Sequence, residues 1–324
     1  MPIIKGKRVL VTGGAGFIGS HLVDYLLESG AGHVVVVDNF ITGDRDNLAQ
    51  ALGDIVLYND DASNWGAMNA IIKTEKIEIV YNLATIPLIY SFFNPYDAYM
   101  INVKLADTML RLLKEGAYKT LIQASSSEAY GTALYSPMDE KHPLFPTTPY
   151  AAGKAAADLM IQSFWNLEPL DITIIRPFNN YGPRQLMVGP LTNIIPGSAR
   201  RINSGEQPMI EGDGMQTRDF IYVGDTARAL VLAYEREESR RKIINLGSGV
   251  ERSIKDLVTE ISRYYNYTGG IEYRPARTAD VSRLCASSNL AKSILGFTPA
   301  VDFKDGIKIT LDWYEESVKN QNLN

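Results

Sequence analysis

Val9-Leu10-Val11-Thr12-Gly13-Gly14-Ala15-Gly16-Phe17-Ile18-Gly19 decides the reading of this chain. Val9 to Val11 is a short apolar run with two β-branched residues, which predicts a buried strand. A glycine loop follows at once. From Ser20 to Ser29, apolar residues fall at Leu22, Val23, Leu26 and Leu27, which is helical spacing. Gly30 and Gly32 end that helix, and His33-Val34-Val35-Val36-Val37-Asp38 reads as a second buried strand. A strand, glycine loop, helix and strand within about 30 residues is the setting of a dinucleotide site. Gly13 and Gly14 turn the backbone off the strand. Gly16 lets a pyrophosphate approach, with Phe17 and Ile18 opening the helix whose N–H groups face it. Gly19 is expected to let the helix pack on the sheet. Asp38 places a carboxylate where a ribose 2′-hydroxyl would be accepted and a 2′-phosphate repelled, which selects NAD over NADP.

The composition is that of an ordinary globular protein. Of 324 residues, 45% are apolar and 21% charged, and the formal net charge is −5. That balance argues against a general nucleic-acid binder. Cys285 is the single cysteine, so no internal disulfide forms, which fits a reducing compartment. His21, His33 and His142 offer no metal-ligand spacing. The first strand starts too early to leave room for a signal peptide, and no apolar run approaches a membrane span. The expectation is a cytoplasmic protein.

Further strands are expected at Ile55–Tyr58, Ile77–Leu83, Thr120–Ala124 and Asp171–Pro177, with helices at Tyr99–Lys114 and Pro149–Trp165. Asn39 opens a polar turn suited to flank an adenosine. At Asp60-Asp61, one carboxylate reaches the adenine amino group or caps the next helix. Asp61, with Ala62 beside it, is the choice for adenine. Leu83, Ala84 and Thr85 sit at the carboxyl edge of their strand, where ligands bind in doubly wound folds. The alternation predicts an α/β, Rossmann-like doubly wound parallel sheet over 1–177, with 217–247 returning to it. The pattern changes after Pro177. An apolar helix pattern near 191–202, strands at Phe220–Val223 and Lys242–Leu246 and helices at Ile254–Tyr265 and Ile307–Val318 are expected there. Residues 178–216 and 248–324 would form a smaller substrate-binding lobe. The tail Lys319 to Asn324 is expected to fray.

Tyr150 and Lys154 are four apart on one helix and so share a face. Ser125-Ser126-Ser127-Glu128 follows the fifth strand at the same sheet edge as the glycine loop. Together these resemble the Ser–Tyr–Lys apparatus of the short-chain dehydrogenase/reductase superfamily. A free phenol has a pKa of about 10, and the ammonium of Lys154 is expected to favour its phenolate. Arg176-Pro177-Phe178-Asn179-Asn180-Tyr181-Gly182-Pro183-Arg184, Gly212 to Phe220 and Arg277-Thr278-Ala279-Asp280 narrow the likeness to the extended branch, the NAD-dependent nucleotide-sugar epimerases and dehydratases. The resemblance implies that Tyr150 takes the proton of a sugar hydroxyl and that Ser126 hydrogen-bonds that oxygen. Lys154 would also hold the nicotinamide ribose. Asn179, Arg218 and Arg277 would bind a diphosphate. The alternative for Arg218 is a salt bridge with Asp219, and for Arg277 one with Asp280. Asn82 stands where many members have His. Asn102 either organises waters near the lysine or simply packs.

The implied enzymes share one opening step, oxidation at C4 to a 4-keto sugar. A 4,6-dehydratase needs a further base for the C5 proton, and Glu128 stands where the resemblance places it. Ser127 occupies the position of the acid that helps the C6 hydroxyl leave. Glu128 could instead cap the following turn. Plain 4-epimerases need neither group. Glucuronate decarboxylases need a cation for the C6 carboxylate, and Arg184 is the nearby candidate. The 4,6-dehydratase comes first in this reading, a UDP-hexose-type 4-epimerase second and a decarboxylase third. A dinucleotide sensor without catalysis is the non-enzyme alternative, against which the Tyr–Lys pair argues. The expected partners are a nucleotide-diphosphate sugar and a second copy of the chain. That copy would dock through the helices at 99–114 and 150–165, with Ala151, Ala152, Ala155 and Ala156 as a small-residue face.

Overall fold

The computed structural model describes residues 2–187 and 193–321. The first part of the expected helix at 191–202 and the end of the polar tail lie outside the described residues. The chain opens with β1 (Arg8–Thr12), α1 (Phe17–Glu28), β2 (His33–Asp38), β3 (Ile55–Asn59), α2 (Trp65–Thr74) and β4 (Ile79–Asn82). It continues with α3 (Pro95–Lys114), β5 (Thr120–Ala124), α4 (Pro149–Leu167) and β6 (Ile172–Pro177). Then come β7 (Asn179–Tyr181), α5 (Ile194–Asn203), β8 (Met209–Glu211), β9 (Thr217–Tyr222), α6 (Val223–Glu235) and β10 (Ile243–Leu246). The last elements are β11 (Glu251–Ser253), α7 (Ile254–Tyr264), β12 (Glu272–Arg274) and α8 (Phe303–Gln321).

Seven strands form a parallel sheet in the order β10-β6-β5-β4-β1-β2-β3. Both faces are covered, which is why β2 reads as an unbroken run of valines rather than an alternation. Val34 and Val36 point into one core with α1 and α6, while Val35 and Val37 point into the other with α2, α3 and α4. The strand order reverses between β1 and β4, so a crevice opens at the carboxyl edge there.

The segment 217–247 divides. α6 packs on α1, and β10 pairs with β6, so these two return to the main sheet. β9 does not: it lies in a separate three-stranded sheet between β11 and β7. The C-terminal part divides as well. α5, α7 and α8 build a core with Tyr181, Phe220 and Phe303. Ala291, Leu295 and Phe297 instead pack into the core of the main sheet.

Helix starts follow their capping chemistry. Thr148 Oγ1 accepts from Ala151 N at 3.2 Å with Pro149 in the first turn of α4. α3 begins at Pro95, four residues before the expected Tyr99, with the proline in its first turn but no side-chain cap from Asn94. α2 is capped by Asn64, whose Oδ1 accepts from Gly66 N and Ala67 N, so neither Asp60 nor Asp61 caps it. Among the described residues no helix is long and apolar enough to cross a membrane, and no cluster of His, Cys, Asp and Glu could hold a metal.

Candidate active site

A cavity of about 1360 Å³ runs from the glycine loop across the carboxyl edge of the sheet to the C-terminal elements. Every residue that the sequence assigned to cofactor, catalysis or substrate lines it. Gly13, Gly16, Phe17, Ile18 and Gly19 form one end with Asp38 and Asn39, and Asp61 and Ala62 close the far side of that end. Leu83, Ala84 and Thr85 form the middle with Ser126, Ser127, Glu128, Tyr150 and Lys154. Asn179, Arg218 and Arg277 form the other end.

The glycine loop is built for close backbone approach. Gly13 has φ +69°, and a Cβ on it would stand 2.8 Å from the Ala84 backbone. A Cβ on Gly19 would stand 2.1 Å from Gly13 O. The space that Gly19 leaves is therefore filled by the loop's own carbonyl rather than by the sheet. α1 starts at Gly16 without a side-chain cap, so its first-turn N–H groups are left for an anion. This cradle fits a dinucleotide pyrophosphate. Asp38 Oδ2 accepts from Ala15 N at 2.9 Å and Oδ1 from Phe40 N at 2.9 Å. Burial raises its pKa, and the N–H groups of Phe40, Ala15 and Gly16 oppose that shift. Asp61 Oδ1 and Oδ2 accept from Ser63 N and Ser63 Oγ.

Asn82 lies behind the loop, fully buried. It accepts from Thr12 Oγ1 at 2.7 Å and donates to Gln123 Oε1 at 2.8 Å, which ties three central strands together. Asn102 Oδ1 accepts from Thr85 Oγ1 at 2.8 Å and from Ile86 N at 3.1 Å. Its Nδ2 donates to Ile86 O and Ala98 O. Asn102 thus fixes the cavity segment that carries Thr85.

In the middle, Lys154 Nζ donates to Ala124 O at 3.2 Å and lies 6.0 Å from the centre of the Tyr150 ring. Burial lowers Lys154 to about 8, and Asp158 pulls it partly back. Burial pushes the Tyr150 phenol up to about 12, while the hydroxyls of Ser126 and Thr85 pull it down. The sequence expected Lys154 to lower the Tyr150 phenol; in the protein alone the phenol is raised instead, by desolvation first and then by Glu128 and Asp158. Ser126 Oγ accepts from Glu128 N at 3.2 Å and so caps the short turn Ser127–Tyr130. The Glu128 carboxyl caps nothing: it is buried, lines the cavity and takes no hydrogen bond from the described residues. Burial raises its pKa, against the pull of Arg218.

At the far end both arginines pair with carboxylates other than those nearest in sequence. Arg218 Nη2 donates to Asp280 Oδ1 at 2.8 Å, and Arg277 Nε is paired with Glu211. Arg218 and Asp219 are neighbours on β9 and point to opposite faces. Asp219 faces away, accepting from Ser248, Gly249 and Ala286. Asn179 Oδ1 is buried without a partner beside these arginines on the cavity wall. The sequence named Asp280 as a partner for Arg277 and missed that both it and Glu211 line the cavity. Residue spacing carried no signal for that, because the contacts join separate strands and loops. Arg184 forms an ion pair with Asp24 of α1 at 2.7 Å.

A doubly wound sheet, a glycine-loop helix without a side-chain cap and a Tyr–Lys pair at the carboxyl edge of the sheet are the features of the extended short-chain dehydrogenase/reductases. The comparison with known families agrees. A model described as GDP-mannose 4,6 dehydratase matches residues 10–310. A putative UDP-glucose 4-epimerase of Methanocaldococcus jannaschii is 34% identical over 97% of this chain and 99% of its own length. The UDP-glucose 4-epimerase of Thermotoga maritima, solved with UDP-glucose, superposes with a TM-score of 0.90 at 31% identity, covering 96% of this chain and 99% of that one. A dTDP-glucose 4,6-dehydratase of Streptomyces venezuelae, solved with NAD and TYD bound, gives a TM-score of 0.90 at 27% identity over 96% and 98%. The chain belongs to the GDP-mannose 4,6-dehydratase family and is an enzyme of its nucleotide-sugar epimerase and dehydratase group.

Proposed function

We propose that the protein is an NAD-dependent nucleotide-sugar 4,6-dehydratase. Glu128 carries this reading. It is a buried, unpartnered carboxyl in the same cavity as Tyr150, and C4 epimerisation has no use for such a group. NAD would be held by the glycine cradle and Asp38, and would supply the hydride acceptor that takes the C4 hydrogen and gives it to C6 in place of the departing hydroxyl. Tyr150 removes the C4 hydroxyl proton, assisted by Ser126. Lys154 supplies positive charge behind it. Glu128 then takes the C5 proton, which the new ketone has made acidic, and Ser127 stands by the departing C6 hydroxyl. Arg218 and Arg277 exchange their carboxylate partners for the diphosphate, whose oxygens match guanidinium forks, and Asn179 donates to it through its amide.

One observation favours a 4-epimerase as the second reading. Position 127 offers a hydroxyl, a weak acid, where a dehydratase would profit from a stronger one. The decarboxylase reading comes third; its candidate cation, Arg184, lines the cavity and is paired with Asp24 of α1. Incubation with UDP-, dTDP-, GDP- and CDP-sugars in deuterated water, followed by mass measurement, tests the proposal. A product lighter by one water and carrying deuterium is expected. A product of unchanged composition without ring deuterium overturns it in favour of epimerisation.

NAD should bind at least tenfold more tightly than NADP, measured by calorimetry on cofactor-free protein. A 2′-phosphate would meet the Asp38 carboxylate at a cost of about 4 kcal/mol for charges about 4 Å apart at an effective dielectric of about 20. Arg45, the nearest cation in sequence, lines a separate small pocket with Phe40, Leu57 and Asn59. Equal affinities would remove Asp38 from cofactor choice.

The same reading includes a homodimer in the cytoplasm, a setting consistent with the lone buried thiol of Cys285. Of the four small residues of α4, Ala152 and Ala156 stay partly exposed and available to a docking face. Ala151 and Ala155 are buried within the subunit, and a Cβ on Gly153 would stand 2.8 Å from Tyr99 O of α3. Exposed large apolar side chains on the same helices are Tyr96, Tyr99 and Met100 of α3 and Leu159 and Leu167 of α4. An apolar face of this kind marks an interaction site. Light scattering at micromolar concentration should give the mass of two chains, and Met100→Lys should shift it towards one. A monomeric wild type would refute the dimer.

A further inference from the structure

The turn that carries Ser126, Ser127 and Glu128 is fastened at both ends to one buried ion pair. Before the turn, Ser125 Oγ donates to Asp158 Oδ2 at 2.6 Å. Arg176 Nη2, from the adjacent strand β6, donates to the same oxygen at 2.6 Å. After the turn, the Arg176 guanidinium lies 4.3 Å from the centre of the Tyr130 ring, and Tyr130 Oη donates to Asn245 Oδ1 at 2.8 Å. Asp158 and Arg176 are each only 1% exposed.

The placement of Asp158 on α4 gives this arrangement its meaning. Tyr150, Lys154 and Asp158 succeed one another every four residues and so form one row along the helix. Tyr150 and Lys154 line the cavity, whereas Asp158 stands behind it. Lys154 holds Ala124 O and Asp158 holds Ser125 Oγ. Two side chains one helical turn apart thus grip two successive residues at the end of β5. The helix that supplies the base thereby sets the position of the turn that supplies the other groups.

We propose that the Asp158–Arg176 pair is a positioning element, which holds the Ser126–Glu128 turn in register with Tyr150 and Lys154. Stability alone does not account for it. A buried ion pair is often matched or bettered by well-packed apolar residues, and here Asp158 Oδ1 and Arg176 Nε remain without hydrogen-bond partners. Placement is a different matter, because a displacement of about 1 Å of a reacting group can cost about a hundredfold in rate. The proposal rests on the functional reading only for the roles of Ser126 and Glu128. C4 oxidation is common to dehydratase and epimerase, so either product serves the test.

Ser125→Thr and Ser125→Val are nearly the same shape, and only threonine keeps the donor to Asp158. The valine variant should lose about tenfold or more in kcat, with the KM for the nucleotide sugar, NAD retention and Tm held near wild type. The threonine variant should restore kcat to within about threefold of wild type. Asp158→Asn should lower kcat at least as much as the valine variant. Amide hydrogen exchange over 126–131 should speed up in Ser125→Val and not in Ser125→Thr, a reading that needs no substrate. Equal kcat and equal exchange in the two Ser125 variants would overturn the proposal. So would a valine loss shared evenly among kcat, KM and Tm, or wild-type kcat in Asp158→Asn. A wild type that oxidises no nucleotide sugar would instead defeat the functional reading, and the exchange comparison would still decide the positioning role.

Discussion

Replacing Tyr150 by phenylalanine should lower turnover by about 10²–10⁴, the usual contribution of a general base, while the protein keeps its NAD. Phenylalanine preserves the ring and removes only the ionisable oxygen, and the glycine cradle and Asp38 are untouched. The pH profile gives a second check. In the protein alone, burial raises the phenol to about 12 and lowers Lys154 to about 8. A base that must lose its proton works better as pH rises, whereas Lys154 loses its helpful charge as pH passes its own value. The wild-type rate should therefore climb with pH and level off near the Lys154 value. The residual rate of Tyr150→Phe should lack the climb. Turnover within about threefold of wild type would take Tyr150 out of the mechanism.

Glu128→Gln should separate the two halves of the reaction. C4 oxidation needs Tyr150, Lys154 and Ser126 but no carboxylate at 128, so absorbance of reduced nicotinamide should build up and persist. Deuterium should fail to enter C5, and release of dehydrated product should fall by about 10²–10⁴. The fold should be little affected. The turn is capped by Ser126 Oγ rather than by the Glu128 side chain, which takes no hydrogen bond from the described residues. Glutamine also removes the cost of burying an ionisable group. A 4-epimerase would behave otherwise: the variant would keep most of its activity, and wild type would show no deuterium at C5. Joint loss of Tm and NAD retention in the variant would point to a structural role.

The first 177 residues were legible because their parallel strands are buried on both faces and separated by amphipathic helices. β1, β2, β5 and β6 fall within a residue of expectation, and the glycine loop lines one end of the cavity. The second half was harder for a physical reason. β7, β8, β11 and β12 are three residues each, too short to show a period. Their pairings join distant segments, such as Asn179 with Phe220 and Glu251 with Asp219. Charge pairs suffered from the same blindness. Adjacent residues on a strand face opposite ways, so Arg218 could not use Asp219 and took Asp280 instead. The ion pair behind the Ser126–Glu128 turn was invisible for a related reason. Asp158 and Arg176 lie on different elements, and neither sits in a chemical motif that spacing alone would mark.

In the chain, the segments of β7, β8 and β9 lie between β6 and β10, its neighbour in the main sheet. During synthesis, β6 therefore emerges as a bare sheet edge, a template for pairing with other chains. The register sets Asn245 opposite Arg176, and Asn245 receives the Tyr130 hydroxyl. The Asn245 anchor of Tyr130 thus forms only when a strand far along the chain from the Ser126–Glu128 turn has emerged. A fragment cut anywhere between β6 and β10 would hold the complete glycine cradle and the Tyr–Lys pair. It would lack the strand that seals the sheet and the side chain that anchors Tyr130, and would be both sticky and catalytically slack.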